Sequence, residues 1–387
     1  SYLDVRNKQS AVTGGISVFS AVKSLLGNIQ EVQGKLVFSG KALSRNYQAL
    51  ADILTETLSS VRFDELDRIR ELVAQIRARR EQSVTSNGHA LAMGVASSQM
   101  SPVSSMSYQL HGVKGIRAIK SLDDDLSKPD DMGEEAIIAL TSKLKAIHEL
   151  VLSSPREYLI VSEENFAEPM SSYVSSIEKP TSISEVEAFS LVPVRSNVKE
   201  AWVTSTQVNF CAKAFQTVDA AHSDAPALTV LGGFLRNGFL HRAIREQGGA
   251  YGGGATQDSA AAAFKFYSYR DPRLTETLDD FDASIQWLKE TKHDPESLEQ
   301  AILGVVSSID KPRSPSGEAK GDFHSNLFGR TREHRESFRS QVLQVKIEDL
   351  LRVADTYLNP ESASFGVITQ SSNKEQLEEL GFKVHEL

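Results

Sequence analysis

Apolar positions along this chain change their spacing repeatedly, and each change predicts a change of element. Residues 1–40 alternate apolar with polar in VTGGISVF and KLVFSG, which predicts strands around a more polar GNIQEVQG. Over 42–60 and 63–84 the spacing lengthens to three and four, predicting two amphipathic helices. Leu66, Ile69, Val73 and Ile76 share one face of the second, which runs into Arg77, Arg79 and Arg80. A basic helix end suits the dipole better than it suits an anion site in an acidic chain. Residues 86–112 have a linker's serine content, yet Ala90, Ala92, Met93, Ala96 and Met100 also fit a closely packed helix, the reading favoured here. A polar, acidic break at 121–132 follows, then a helix over 134–152, a strand at 158–161 and a short helix in ENFAEPMSSYVSSI.

EKPTSISEVEAF has linker composition. Beyond it, VEAFSLVPV and AWVTSTQVNFCAKAF predict strands, 274–288 and 295–309 a helix pair, and KPRSPSGEAKGDFHS a long irregular loop. A helix over 342–358, a strand in SFGVIT and a terminal helix in NKEQLEEL close the chain. Both units run strands, helices, late strand, helix. The predicted fold is therefore α+β: two similar domains, 1–178 and 188–387, joined by a linker at 179–187, each a mainly antiparallel sheet packed with helices.

The stretch 228–269 carries the most chemistry. Leu228, Leu231, Leu235 and Phe239 make a helical face that Leu240 and Ile244 widen, and Gly248-Gly249 permits a left-handed stop. Arg242 and Arg245 fall near the helix end. Tyr251 then stands among Gly248, Gly249, Ala250 and Gly252-Gly253-Gly254, with no bulky neighbour in sequence. Such a tyrosine is open to close approach by another backbone. On the residues alone, Arg245 and Tyr251 also read as a helix-end charge and a turn residue. The strand AAAFKFYSY follows; Phe264 and Phe266 share one face, Tyr267 and Tyr269 another. Gly253 and Gly254 invite a substrate strand to pair along AAAFKFYSY. Arg270 either positions substrate or belongs to a turn in which Asp271 N-caps the next helix with Pro272 at its first position.

IREQGGAYGGG followed by FYSYRDP resembles the C-terminal half of the pitrilysin/insulinase-type zinc peptidases, in their presequence-protease branch. The likeness is strongest over 228–287 and weaker in VTGGISVFSAV and GKLVFSGKALSRN. It implies the pitrilysin/insulinase-type, LuxS/metallohydrolase-like α+β fold and a metalloendopeptidase acting on short unstructured peptides. It further implies that zinc and the general base sit in an N-terminal half of the same enzyme, the partner of this chain. Tyr251 and Arg245 then supply oxyanion stabilisation and substrate binding, with Gly252, Gly253, Gly254 and Arg270 lining the substrate path. The resemblance implies a soluble protein of bacterial or organellar setting. The opening SYLDVRNKQS, with no initiator Met, fits a piece of a longer polypeptide.

Histidine spacing agrees with that division. None of the nine histidines stands in H-x-x-E-H or H-E-x-x-H, which place two imidazoles one helical turn apart on one metal. With a single Cys211 in the apolar VNFCAKAF, a zinc site inside the chain is not expected, nor is hydrolysis by this chain alone. A phosphate loop fits poorly, because GGAYGGG precedes a strand and lacks the Lys-Ser or Lys-Thr pair. The net charge of -9 argues against nucleic acid and anionic membrane as partners, and no apolar run approaches a membrane span. The rival readings are a non-catalytic scaffold and a peptide-binding module of the same fold.

Overall fold

The computed structural model describes residues 2–129, 131–177 and 189–387. The chain starts with a helix, α1 (Tyr2–Val12), and a two-stranded antiparallel hairpin of β1 (Ile16–Leu25) and β2 (Asn28–Gly40). Seven helices follow among the described residues: α2 (Tyr47–Ser59), α3 (Leu66–Ser86), α4 (Gly88–Ala96), α5 (Pro102–Leu110), α6 (Val113–Leu126), α7 (Asp131–Ser153) and α8 (Glu164–Ile177). Then come β3 (Lys199–Thr204), β4 (Phe210–Gln216), and α9 (Ala225–Leu235), which continues as a π-helix over Arg236–Gln247. A hairpin of β5 (Gly252–Asp258) and β6 (Ala263–Tyr269) leads into α10 (Thr275–Glu290), α11 (Pro295–Ile309), α12 (Pro315–Asn326), α13 (Arg332–Val342) and α14 (Ile347–Tyr357). The chain closes with β7 (Ser364–Gln370), α15 (Lys374–Glu379) and β8 (Lys383–Glu386).

Six strands form one sheet in the order β5-β6-β4-β7-β3-β8, antiparallel from β5 to β7 and parallel where β3 meets β7 and β8. Alternation along β4 sends Phe210, Ala212 and Ala214 to one face and Cys211 and Phe215 to the other. Helices cover both faces: α4 with its neighbours on the first, and α9, α10 and α14 on the second. That double burial is why β3 and β4 read as nearly continuous apolar runs. The α4 sequence GHALAMGVA is the small-residue helix its composition suggests, and its small side chains let it lie close on β4 and β7. The fold is α+β, as predicted.

Several local expectations differ. Residues 158–161 are irregular, with Tyr158 about half exposed; no strand among the described residues pairs with them in a ladder. The acidic stretch after 121 is helical as far as Leu126, because Arg77 on α3 donates to Asp123 Oδ2 (2.9 Å) and Asp124 Oδ1 (2.7 Å). α3 runs on to Ser86, so Arg77, Arg79 and Arg80 lie inside the helix and not at the basic end expected, and Arg77 finds its acids on α6. The loop predicted around 315 is α12, started by Ser314, whose hydroxyl accepts the Gly317 amide, with Pro315 at the first helical position. Residues 189–198 form no strand, and AWVTSTQVNFCAKAF splits into β3 and β4. The linker expected at 179–187 lies outside the described residues.

Candidate active site

The site grows from the end of the helix that begins as α9. That helix is buried along most of its length, and past Leu235 it widens into the π-helix. π-Helical turns are rare and concentrate at functional sites. Gly249, at φ +78°, ends it, and the amides of Gly249 and Ala250 donate back to Arg245 O and Ile244 O. The chain then reverses into β5. Arg245, in the last turn, and Tyr251, one residue before the strand, are thereby brought face to face. The Arg245 guanidinium carbon lies 6.0 Å from the Tyr251 ring centroid.

Tyr251 is 67% exposed, yet its position is fixed. Its amide donates to Tyr269 O at 3.1 Å and to Arg270 O at 3.4 Å. Its ring meets Tyr269 edge-on, with centroids 5.6 Å apart and planes at 85°. Tyr269 is held in turn: its hydroxyl donates to Ser86 O at 3.3 Å, and His89 packs against its ring at 4.9 Å. Burial pushes the His89 imidazole below its ordinary range, so the ring beside Tyr269 is neutral near pH 7.

Arg270 follows Tyr269 and adopts φ +51°, a left-handed backbone that costs a residue with a Cβ roughly 1–2 kcal/mol. Its neighbours enforce that turn. Asn209 and Asp271 exchange both backbone hydrogen bonds at 2.8 Å, and the buried Asp271 carboxylate accepts from the Arg273 amide (3.0 Å) and the Thr277 hydroxyl (2.7 Å). Burial pushes the Asp271 carboxyl up, and these donors oppose the shift. The N-cap expected at Asp271 is therefore a turn brace: α10 starts at Thr275, behind Leu274. The Arg270 guanidinium lies 5.3 Å from the Tyr269 centroid. Among the described residues, neither Arg245 nor Arg270 has a carboxylate within ion-pair distance.

The three glycines behave differently from one another. They open β5 and pair with β6, Gly252 opposite Tyr269 and Gly254 opposite Tyr267. A Cβ at Gly253 would lie 2.8 Å from Ile244, and one at Gly254 would lie 2.9 Å from Arg236. Their bareness thus lets the preceding helix pack on β5, whereas Gly252 has open space where a side chain would lie. The expectation that a substrate strand pairs along AAAFKFYSY is corrected, because β6 is already paired on both edges, by β5 and β4. The outer edge of β5, like that of β8 at the far side of the sheet, pairs with no strand among the described residues.

Among the described residues, no cluster of three or more His, Cys, Asp or Glu is arranged to hold a metal ion. Cys211 is buried, and burial pushes its thiol up. Arg245, Tyr251 and Arg270 were legible as candidates in the sequence, and the fold gathers them around Tyr269. His89 and Ser86 were not. Ser86 is 183 positions from Tyr269, and nothing local marks either residue.

Two family models match the chain: the peptidase-associated domain of M16 subfamily C over residues 1–122, and the PreP C-terminal domain over residues 199–372. The chain is 31% identical to the mitochondrial presequence protease of Drosophila melanogaster over 329 residues, covering 84% of this chain and 31% of that protein. It is 28% identical to the mitochondrial presequence protease of Yarrowia lipolytica over 361 residues, covering 92% of this chain and 36% of that protein. The chain thus spans about a third of the length of these relatives. The crystal structure of pitrilysin matches with a TM-score of 0.60 at 16% identity, over 99% of this chain and 39% of that one, a likeness of fold alone.

Proposed function

The chain belongs to the presequence-protease branch of the pitrilysin-type peptidases, and on that premise we propose that it acts as the C-terminal half of a zinc metalloendopeptidase degrading short unstructured peptides. In this reading it comprises two α+β domains, 1–178 and 188–387, with a linker at 179–187. In the same reading zinc and the general base are assigned to an N-terminal half, which is compatible with the lack of a three-residue metal-ligand cluster among the described residues. The observation that carries the proposal is the pairing of an exposed, backbone-anchored Tyr251 with Arg245 across the helix end.

The chemistry follows from that geometry. When an amide carbonyl is attacked, negative charge develops on its oxygen. A phenol fixed in advance donates a hydrogen bond that strengthens with that charge, without reorganising at the moment of reaction. Tyr251 is suited to this role because its backbone and ring are both braced by β6. Arg245 offers a rigid fork of N–H donors to neighbouring carbonyls of the substrate. Gly252, with open space above it, and Arg270 flank the path along which an extended peptide lies. The substrate is short and unstructured, and an organellar setting fits the mitochondrial relatives. Among the described residues no helix is long and apolar enough to cross a membrane.

The test is cleavage of a quenched unstructured peptide by this chain with zinc, alone and mixed with a separately made N-terminal half. Turnover is expected in the mixture only. Hydrolysis by this chain alone would overturn the division of labour. A peptide-binding module is the second reading, favoured by the open outer edge of β5; it predicts binding without turnover in both arms.

A further inference from the structure

We propose that Arg270 forms a carboxylate-binding subsite beside Tyr251, biasing the site toward peptides that present an anionic group there, either an acidic side chain or a C-terminal carboxylate. The inference rests on the reading of Tyr251 and Arg245 given above and adds a ligand chemistry to it.

Three independent observations meet at this residue. The first is conformational. At φ +51° a glycine or asparagine sits more easily than an arginine, so this side chain stands against its own backbone preference. The turn is imposed from outside, by the Asn209–Asp271 bridge and by the buried Asp271 carboxylate. Strain held in place by its surroundings is a mark of functional positions.

The second observation is electrostatic. Some arginines of this acidic chain find acids within the fold, Arg273 pairing with Asp280 at 2.9 Å and Arg77 with Asp123, while others, Arg245 and Arg270 among them, find none among the described residues. Arg270 is exposed and, among the described residues, has no carboxylate in reach. Its place at the exposed turn beside Tyr251 leaves the guanidinium to an acid from outside this fold.

The third observation is geometric. Arg245, Tyr251, Tyr269 and Arg270 form a row, with successive contacts of 6.0, 5.6 and 5.3 Å between ring centroids or guanidinium carbons, and a cation at each end. An arginine lying over an aromatic ring keeps its in-plane N–H edges free, which suits two-pronged recognition of a carboxylate. Tyr269 cannot easily turn away, being held by Ser86 O and His89. The Tyr251 amide, bonded to the carbonyls of 269 and 270, ties the subsite to the candidate catalytic hydroxyl. A cation at either end also disfavours a basic substrate side chain in the same place.

The experiment uses the full-length polypeptide that carries this chain. Binding of short, fluorescently labelled unstructured peptides is followed by anisotropy in the presence of EDTA, which prevents turnover, and cleavage is followed with zinc restored. One peptide pair differs only in a C-terminal acid or amide. The other pair, both amidated, differs only in an internal Glu or Gln. The unaltered protein is expected to bind the anionic member of one pair about threefold to tenfold more tightly, and the responding pair identifies the source of the carboxylate. Arg270→Gln and Arg270→Gly are each expected to bring that ratio to about one. Arg270→Gly should melt no lower than the parent, since glycine accepts the left-handed turn. Equal binding within both pairs, or a ratio unchanged in both variants, overturns the proposal; a lower melting temperature for Arg270→Gly overturns the strain argument beneath it. Tyr251→Phe separates the two readings. It is expected to slow cleavage and leave the binding ratio alone, and if cleavage is undiminished the catalytic reading fails while the ratio still judges the subsite.

Discussion

An exposed tyrosine ordinarily carries little structural weight, so Tyr251 permits a clean test at the scale of one residue. Its main constraints, the amide bonded to Tyr269 O and the ring edge against Tyr269, survive removal of the hydroxyl. Tyr251→Phe in the full-length enzyme is therefore expected to lower kcat by about 10²–10³ with little change in peptide affinity or melting temperature. Steady-state kinetics beside a peptide-binding titration checks this, and a drop in affinity equal to the drop in rate would count against it. Tyr251 and Arg245 stood out through the family resemblance and a local pattern of helical apolar face, glycine stop and short step into a strand, whereas the β6 contacts that fix Tyr251 were not visible in that pattern. The residues behind them did not stand out. Tyr269 read equally well as core, and His89 reaches it only because α4 lies across the sheet.

At the scale of elements, the approach of α4 to β4 governs what the site rests on. A Cβ at Gly88 would lie 2.5 Å from the Phe210 ring. Phe210 packs against Tyr269 in its turn, with centroids 5.8 Å apart. Gly88→Ala is thus expected to cost about 1–3 kcal/mol through overpacking and to slow turnover by displacing His89 and Tyr269. Thermal melts and kinetics of the same preparation check both halves. A second element-scale consequence concerns β8, whose His385 stacks on Trp202 at 4.8 Å with Nε2 3.6 Å from Glu200 Oε2. Burial pushes His385 below its ordinary 6.5, with Glu200 pulling the other way. A base depressed in the fold takes up its proton more readily when unfolded. Its contribution to stability is therefore present above pH 6.5 and is lost as the pH falls toward the folded value. His385→Phe keeps the stack and removes the proton, so its melting temperature should fall less steeply with acid than the parent's; parallel curves would refute the assignment. Amphipathic α2 and α3 were plain in the sequence, and the cap and proline that start α12 were present but masked by loop-like composition. The π-helix had no visible signal, because its apolar spacing is also compatible with an α-helix.

Over the whole molecule, the α+β class was readable from the mixture of apolar periods, although the strands expected at 158–161 and around 189–194 do not form and β8 follows the expected terminal helix. What sequence could not say was how the six-stranded sheet buries both faces. One cover, α4, comes from more than a hundred positions before the strands it protects, and small residues mark close packing without naming the surface packed against. At this scale the chain is expected to bind unstructured peptides and to show no zinc-dependent hydrolysis until an N-terminal half is supplied; a peptidase assay on the purified chain decides it. The open rim at β5 has one further consequence. Gly252 to Gly254 bear no side chain of their own and include no proline, charges and prolines being what usually keep sheet edges from joining; the charges nearest are Arg236 against Gly254 and Asp258 at the far end of the strand. A polypeptide carrying this strand bare is therefore prone to recruit any extended segment, its own copies included. Peptide substrate and self-association compete for one edge, and dilution or saturating peptide should keep the protein dispersed where concentration alone would drive it to aggregate.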